Sequence, residues 1–425
     1  MTFDTLNLHP KILQAVAKAG YSKPTKIQLD AIPEILKGSD LRASAQTGTG
    51  KTAAFLLPAL NRLMNPPINA SKGPRILVLV PTRELAMQIA TQTEKYSKYL
   101  SQVKTVCVVG GVPYPAQVRK LSRPYEVLIA TPGRLIDYID RGKIDFSRLE
   151  MLVLDEADRM LDMGFVDPVK KIASCTPPSR QTLLFSATLQ GSVIQLSEAL
   201  LKNPVEIVVK AEKENHENIK QSLHYADNLQ HKNRLLDHIL SQENVTNAIV
   251  FTSTKRHANQ LVGDLKDKQY LAAALHGNMN QRQRTRTIAQ LRNGTVKILV
   301  ATDVAARGID VQAISHVINY DLPETAEDYV HRIGRTGRAG AKGIALSFVT
   351  GRDAYKVKKI EKFTAQEIAI EVIAGLEPTG KKQDTEQKPR KRARPQRKEG
   401  AYRRIHEKKK PAKKRSSPRK RQKNR

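Results

Sequence analysis

A short segment rich in glycine and threonine, ending in Gly-Lys-Thr, constrains this chain more than any other feature. Small residues let backbone N–H groups converge on phosphate oxygens, and the helical pattern that follows adds the partial positive charge of a helix N-terminus. Lys51 could reach the terminal phosphates of a nucleotide, and the Thr52 hydroxyl could ligate Mg²⁺. A plain glycine-rich turn is the alternative, since Ala45 replaces the usual first glycine. The nucleotide-binding loop that we predict comprises Ala45, Gln46, Thr47, Gly48, Thr49, Gly50, Lys51 and Thr52.

Apolar runs and helical patterns alternate along the chain in two series. The runs are apolar throughout, which is typical of strands buried on both faces of a parallel sheet. Alternating strands and helices predict a doubly wound α/β fold in each series. The first series has the runs Ile76–Val80, Val106–Val109, Val127–Ala130, Met151–Leu154, Thr182–Phe185 and Val205–Val209. The second has Ala248–Thr252, Leu271–Leu275, Lys297–Ala301, His316–Asn319 and Gly343–Phe348.

Positive charge is concentrated at one end of the chain. The 425 residues carry a formal net charge of +31. Residues 381–425 hold 22 Lys and Arg against 4 Asp and Glu, so they carry +18 and leave +13 on the rest. Such a charge favours a polyanionic partner through counterion release, although a tail kept for solubility is the alternative. Periodicity ends near residue 376, and we expect residues 376–425 to be disordered because they cannot bury enough apolar area.

Three features bear on the compartment. The two cysteines, Cys107 and Cys175, lack metal-ligand spacing and pairing, and we expect buried thiols in a reducing environment. No apolar run approaches the length needed to cross a membrane, and the first residues carry no basic-then-apolar leader. These observations predict a cytoplasmic protein.

Two clusters of charged residues could complete a hydrolytic site. The run Met151–Leu154 leads into Asp155 and Glu156, where a parallel strand would end. Asp155 could support Mg²⁺ through water, and Glu156 could orient and deprotonate the attacking water. Arg335 and Arg338, spaced to lie on one side of a helical turn, could neutralise the γ-phosphate in the transition state. A solvated acidic turn and a basic surface helix are the alternatives.

Further short motifs follow in a fixed order. They are Pro81–Ala86, Thr131–Arg134, Asp155–Asp158, Ser186–Thr188, Ala305–Asp310 and His331–Arg338. Together with the loop they closely resemble the motifs of DEAD-box RNA helicases of superfamily 2, over roughly residues 1–375. The run Asp155–Phe165 and the short basic tail are similar to bacterial members of the SrmB and RhlE groups.

The resemblance implies a definite architecture. The fold would be two tandem RecA-like doubly wound parallel-sheet domains followed by a disordered basic tail, with ATP and Mg²⁺ as cofactors. Residues 1–30 would form an adenine-recognition segment, 31–209 the ATP-binding domain, 210–220 a linker, 221–375 the C-terminal domain and 376–425 an RNA-binding tail.

The resemblance also implies roles around the nucleotide. Gln28 would read the adenine edge with its amide, which both donates and accepts, while Tyr21 and Phe3 would support the base. Asp310, beside Gly308, would accept hydrogen bonds from the ribose hydroxyls. Hydrogen bonds within a coupling element would link hydrolysis to domain closure, and its members would be Asp158, Ser186, Thr188 and His331.

The resemblance also implies which residues contact the RNA backbone. Glycines permit close approach, and helix N-termini suit phosphate oxygens, so recognition would read the RNA backbone and would be nearly independent of sequence. The residues expected to contact RNA are Pro81, Thr82, Arg83, Gly110, Gly111, Thr131, Gly133, Arg134 and Thr302.

For activity, the resemblance implies an ATP-dependent RNA helicase that separates short duplexes locally, with RNA-stimulated hydrolysis. An ATP-gated RNA clamp and a DNA-directed motor are the alternatives. Similarity to the SrmB group suggests large-subunit ribosome assembly, with ribosomal RNA and ribosomal proteins as partners. Similarity to the RhlE group permits RNA decay, with decay factors, or general remodelling. We expect a monomer, and the tail could instead act as a nuclear address.

Deleting residues 381–425 should weaken RNA binding, because it removes the densest positive charge, and should leave RNA-independent ATP hydrolysis intact. RNA affinity at several salt concentrations and unstimulated ATPase rates measure the two effects. Loss of unstimulated hydrolysis would contradict this division of labour.

Overall fold

The computed structural model describes residues 2–45, 49–67, 69, 71–209, 218–306, 314–337 and 341–379. Residues 2–209 form a first lobe and residues 218–379 a second lobe, each built on its own sheet. Among the described helices, none combines the length and the apolarity that crossing a membrane requires.

The first lobe alternates helices and strands after a 3₁₀ turn at Phe3–Leu6. Its helices are α1 Pro10–Lys18, α2 Lys26–Leu36, α3 Lys51–Arg62, α4 Arg83–Tyr96, α5 Tyr114–Leu121, α6 Pro132–Asp140, α7 Ala157–Asp162, α8 Val166–Ser174 and α9 Ser192–Leu200. Its strands are β1 Leu41–Ser44, β2 Ile76–Leu79, β3 Thr105–Val108, β4 Val127–Ala130, β5 Met151–Leu154, β6 Gln181–Ser186 and β7 Val205–Val208.

The second lobe repeats this alternation, with a 3₁₀ turn at Gly351–Asp353 before its last helix. Its strands are β8 Ile219–Tyr225, β9 Ala248–Phe251, β10 Ala272–Leu275, β11 Ile298–Ala301, β12 His316–Asn319, β13 Gly343–Val349 and β14 Ala369–Ile370. Its helices are α10 Leu229–Leu240, α11 Lys255–Asp267, α12 Gln281–Arg292, α13 Asp303–Ala306, α14 Ala326–Ile333 and α15 Ala354–Thr364.

Both sheets have the same topology. The first runs β3-β4-β2-β5-β6-β1-β7 and the second β10-β11-β9-β12-β13-β8-β14, which is the same order displaced by seven strands. Every described pairing is parallel. Two tandem doubly wound domains, as the sequence predicts, are therefore confirmed.

Strand burial explains why the apolar runs are continuous. In β2, Ile76 and Val78 pack into the core on one face of the sheet, while Leu77 and Leu79 pack into the core on the other. A strand overlaps each of the eleven predicted runs. Helices cover both faces of the central strands, whereas the edge strand β7 leaves Glu206 and Val208 exposed.

The structure also differs from the sequence-based expectations. Strands β1, β8 and β14 were not predicted, because they mix apolar with polar or small residues. Strand β8 begins at Ile219, so the last two residues of the predicted linker belong to a strand. The expectation of a buried Cys175 is wrong, since it is exposed at the end of α8, whereas Cys107 is partly buried and burial raises its pKa to about 11.

Parallel topology gathers the polar motifs. Since every strand points the same way, residues that follow the strands meet at one edge of each sheet. The predicted loop follows β1, the acidic pair follows β5, and Ser186 ends β6, which lies between those two strands.

One buried carboxylate fixes β1 in this arrangement. Asp40 precedes the strand, and its Oδ1 accepts a hydrogen bond from Thr182 N of β6 at 2.7 Å. Its Oδ2 accepts from Lys202 N, between α9 and β7, also at 2.7 Å. Asp40 thereby ties β1 to both neighbouring strands.

Replacing Asp40 with Ala should destabilise the first lobe by roughly 2–4 kcal/mol, because two buried backbone donors lose their acceptor. Urea unfolding followed by circular dichroism measures the loss. Asp30→Ala is the matched control, since its ion pair with Lys26 is exposed and should matter by less than about 1 kcal/mol. Equal effects of the two substitutions would refute the role of Asp40.

Candidate functional site

The start of α3 lies directly against α2. Gly50 caps α3 with φ at 96°, a conformation that favours glycine. The Gln28 amide donates to Gly50 O at 3.1 Å, and its Oε1 accepts from Thr25 N at 3.0 Å. A Cβ at position 50 would collide with the Gln28 amide. Gln28 thus links the predicted adenine-recognition segment to the phosphate loop.

Lys51 and Asp155 form the buried centre of the first lobe's site. Both are under one-tenth exposed. Burial raises the pKa of Asp155 to about 6, which the positive charge of Lys51 opposes and the neighbouring Glu156 reinforces. A buried carboxylate of this kind is stabilised by a nearby cation.

This donor set fits Mg²⁺ held largely by a nucleotide. Asp155 and the Thr52 hydroxyl offer hard oxygen ligands, and Mg²⁺ commonly takes one or two protein oxygens plus phosphate oxygens and waters. Within the described residues, no cluster of three or more His, Cys, Asp or Glu side chains forms an all-protein metal cage.

Glu156 sits in a sharply turned backbone at the start of α7. Its φ of 54° lies in the left-handed region, and its N–H donates to Asp155 Oδ1 at 3.0 Å. The side chain is buried, and its Oε2 has no hydrogen-bond partner among the residues that the structure describes. Arg159 Nε lies 3.6 Å from this oxygen. A buried carboxylate with an unused acceptor is suited to taking a proton from water.

The predicted coupling residues are connected through the backbone. Asp158 Oδ2 accepts from Ala187 N at 3.1 Å, and Ser186 Oγ accepts from Thr188 N at 3.3 Å. The Ser186–Thr188 segment is therefore bonded to Asp158 through the N–H of Ala187, a residue that was assigned no role from the sequence.

Helix α14 brings the second lobe's basic residues towards the first lobe. Arg335 is buried, and its Nε donates to His331 O at 3.2 Å. A small cavity is lined by Arg335 and His331 and also by Arg159 of the first lobe. Because Arg159 contacts Glu156, the candidate arginine and the candidate base lie on opposite sides of one cleft.

Arg332 anchors α14 to the second sheet. Its guanidinium makes two hydrogen bonds to Asp303, at 2.6 and 2.7 Å, and one to Asn319 Oδ1 at 3.1 Å. The group also lies 4.8 Å from the ring centroid of Phe251. This bidentate pair anchors α14, which carries His331 and ends two residues before Arg335.

A buried ion pair joins the two lobes. Glu84, in the first turn of α4, accepts from Arg284 Nε at 2.7 Å and from Gln281 Nε2 at 3.3 Å. All three side chains are under one-tenth exposed. Arg284 also donates to the backbone oxygens of His276 and Ala305, which orients it from the second lobe. We call Glu84, Gln281 and Arg284 the inter-lobe clasp.

Arg83 is one of the residues predicted to contact RNA. Its guanidinium lies against Gly110 and Gly111, and a Cβ at position 111 would collide with it. Burial lowers the pKa of Arg83, Glu84 opposes this, and the positive charges of Arg284 and Arg134 lower it further. The positive charge of the buried Arg284, from the second lobe, therefore acts on Arg83 of the first lobe.

The remaining predicted RNA residues lie at strand ends and helix starts. Pro81 and Thr82 lie between β2 and α4, where Thr82 Oγ1 accepts from Leu85 N at 3.3 Å. Thr131 caps α6, and Gly133 in its first turn has open space where a Cβ would lie. Arg134 Nη1 donates to Val112 O at 2.9 Å, and Thr302 follows β11 in the second lobe.

Other predicted residues have simpler surroundings. Phe3 packs in the core, and Tyr21, 44% exposed, lies against Tyr96 with Lys95 5.2 Å from its ring centroid. Several predicted positions lie outside the described residues: Gln46, Thr47, Gly48, Gly308, Asp310, Arg338, most of the linker 210–220 and the tail from residue 380.

Sequence reasoning gave no role to Glu84, Gln281, Arg284, Arg332 or Arg159. Three of these lie inside or beside recognised motifs, but nothing in a motif says what its charged residues contact. Gln281 and Arg284 are three residues apart on α12, which is a weak hint of a shared face. Their partner is almost two hundred residues away, so only the fold reveals the clasp.

Family models match both lobes. The model described as DEAD/DEAH box helicase matches residues 25–196, and the model described as Helicase conserved C-terminal domain matches residues 231–340. The two matches together contain the phosphate loop, the acidic pair, α14 and every member of the inter-lobe clasp.

Relatives and solved structures agree with these matches. The chain is 45% identical over 380 residues to the ATP-dependent RNA helicase SrmB of Haemophilus influenzae, covering 89% of this chain and 86% of that one. Dbp5 of Saccharomyces cerevisiae bound to RNA and ADP BeF3 aligns with a TM-score of 0.78 and 33% identity, covering 87% and 95%. Mss116p bound to ssRNA and AMP-PNP aligns with a TM-score of 0.79 and 30% identity, covering 88% and 81%.

Breaking the inter-lobe clasp should slow RNA-stimulated ATP hydrolysis and leave ATP affinity nearly unchanged. Arg284→Met leaves Glu84 buried and unpaired whenever the lobes meet, which costs about 3–5 kcal/mol in the closed state. We expect a fall of at least about tenfold in stimulated kcat. Adding Glu84→Gln should restore part of the lost rate, because it removes the unpaired buried charge.

The control for the clasp is Glu94→Gln, on the same helix but exposed. It should behave like the unaltered protein. Strictly additive effects of Arg284→Met and Glu84→Gln in a double-mutant cycle would show that the two residues do not act as a pair.

Proposed function

The chain belongs to the DEAD-box family of ATP-dependent RNA helicases, and on that basis we propose that it separates short RNA duplexes locally, in one cycle of lobe closure and reopening. The observation that carries this proposal is the inter-lobe clasp. Its buried contacts define a closed state of the two lobes. Two ligands that bind across the cleft would both favour that closed state.

In the nucleotide site, we assign the first lobe's residues to binding and proton transfer. Lys51 contacts the terminal phosphates, the loop's N–H groups cradle them, and Gln28 reads the adenine edge beside Tyr21 and Phe3. Mg²⁺, supported by Asp155 and Thr52, would neutralise developing charge on the phosphate oxygens when bound. Glu156 accepts the proton of the attacking water, because its Oε2 is buried and has a free acceptor site.

Closure completes this site from the second lobe. Arg335 and Arg338 provide positive charge to the γ-phosphate in the transition state, while Gly308 and Asp310 contact the nucleotide. The shared cavity of Arg159, His331 and Arg335 supports the assignment of Arg335, because Arg159 contacts the proposed base Glu156 of the other lobe. Hydrolysis is therefore slow while the lobes are apart.

RNA binds across the same two lobes through its backbone. The residues assigned to it lie at strand ends and helix starts, where N–H groups and hydroxyls suit phosphate oxygens. A closed cleft that accepts one bent strand rejects a duplex, so closure pulls a few base pairs apart. Reciprocal coupling follows, because a ligand that favours closure strengthens the binding of the other.

We further propose large-subunit ribosome assembly as the setting, from the similarity to SrmB. The chain would act as a cytoplasmic monomer on ribosomal RNA, with ribosomal proteins nearby. General remodelling or RNA decay, with decay factors as partners, is the second candidate, since backbone contacts accept any RNA sequence. RNA crosslinked to the protein in cells and then sequenced distinguishes the two.

Glu156→Gln should abolish most hydrolysis while ATP and RNA still bind, because the amide cannot accept the water's proton. We expect a loss of at least about a hundredfold in stimulated kcat. Strand displacement of a short labelled duplex should stop after one round instead of turning over. Arg335→Ala is the companion variant and should reduce stimulated hydrolysis from the other lobe.

The alternative function, an ATP-gated RNA clamp, predicts a different result for Glu156→Gln. If Glu156→Gln kept full biological activity without hydrolysis, the clamp would be favoured over the helicase. If single-stranded DNA stimulated hydrolysis as well as RNA did, the assignment of RNA as substrate would fail.

A further inference from the structure

Helix α15 has one buried face and one face that the described part of the protein leaves uncovered. Val357 and Ile360 pack with Tyr329 and Ile333 of α14 in one apolar cluster. The opposite face carries Tyr355, Lys358, Lys359, Lys362 and Phe363, all exposed. Their spacing of three, four and eight residues puts them on one side of the helix.

Exposed aromatic rings are concentrated on this face. Only three aromatic side chains are exposed in the described part of the chain: Tyr21, Tyr355 and Phe363. Two of the three therefore lie on α15, at 54% and 49% exposure. Eight residues of helix place them about 12 Å apart, a distance that three or four stacked nucleotides span.

The charge on this face has one sign. Lys358, Lys359 and Lys362 lie between or beside the rings, and Lys359 Nζ is 5.4 Å from the centroid of Tyr355. Glu361, the helix's one acidic residue, turns away and accepts from Ile368 N at 3.2 Å. Glu324, at the edge of the face, is paired with Lys356 at 2.6 Å.

We propose that this face of α15, defined by Tyr355, Lys358, Lys359, Lys362 and Phe363, is a second RNA-binding surface that holds unpaired RNA outside the cleft. Bases stack on the two rings, and the lysines contact the adjoining phosphates, a combination that binds single strands with little sequence preference. The surface lies apart from the residues assigned to RNA in the cleft, which occupy strand ends and helix starts.

Charge complementarity selects RNA over a protein as the occupant. Exposed rings alone would suit either a protein or RNA. The three lysines have no carboxylate partner among the described residues, and this favours a polyanion. RNA bound to α15 would lie on the second lobe, because α15 packs directly on α14, the helix that carries His331. RNA held there keeps the second lobe close to a long substrate while the cleft opens.

The first test compares two RNA strands on the full-length protein with a non-hydrolysable ATP analogue. One is a short oligonucleotide that fills only the cleft, and the other is a strand several times longer. Tyr355→Ala with Phe363→Ala should weaken binding of the long strand by roughly tenfold or more and leave binding of the short strand unchanged. Leu229→Ala with Leu271→Ala is the matched control, because both leucines are exposed in the same lobe.

The second test measures salt dependence for the long strand. Lys358→Gln, Lys359→Gln and Lys362→Gln together should reduce the slope of log affinity against log salt by about 2, since each phosphate contact contributes about 0.7. Lys266→Gln with Lys268→Gln, which are exposed at the end of α11 and directly after it, should leave the slope unchanged. If α15 had only a structural role, the substitutions would change the affinity for both strands alike and would leave the salt slope unchanged.

Three outcomes overturn the proposal. They are an unchanged affinity for the long strand in both α15 variants, an equal loss for both strands, and altered self-association in sedimentation with RNA affinity intact. The last would assign the face to a second copy of the chain. ATPase stimulated by the short strand stays normal in every variant, so failure here is distinct from failure of the helicase assignment.

Discussion

The buried carboxylate of Glu84 is the contact on which the two-lobed arrangement depends. A charge under one-tenth exposed is costly unless it is paired, and its partners come from the other lobe. Closure therefore satisfies Glu84, whereas any opening that withdraws Arg284 must let water reach it. Arg159, beside the proposed base Glu156, lines a cavity with Arg335 of the second lobe. In the proposed mechanism, hydrolysis depends on lobe contact because both need the same surfaces to meet.

Parallel topology explains how so many polar groups reach that cleft. Each sheet has one edge at which all its strands end, and the residues there come from distant points in the chain. The second lobe repeats the strand order of the first without repeating its sequence, and its edge carries arginines and Asp303 instead of a phosphate loop. One architecture thus carries the proposed nucleotide-binding groups in one lobe and the proposed charge-stabilising arginines in the other.

Much of this could be predicted from the sequence. Continuous apolar runs identified eleven strands, because strands covered on both faces have no polar side. Lys51, Asp155 and Glu156 could be proposed as site residues because short motifs preserve local geometry: a loop before a helix and an acidic turn after a strand. Strand β1 was missed because its residues alternate in burial, and α14's anchor was missed because Arg332 depends on Asp303, in a different motif.

The sequence by itself determined the alternation of strands and helices, the chemistry of the phosphate loop and the concentration of positive charge. These depend on neighbours within a few residues, or on composition, which a linear pattern contains. Only the tertiary structure decided that Glu84 meets Arg284, that Asp158 holds the backbone of Ala187, and which face of α15 remains exposed. Such contacts depend on how separate segments pack. No local sequence pattern indicates which residue a side chain contacts two hundred positions away.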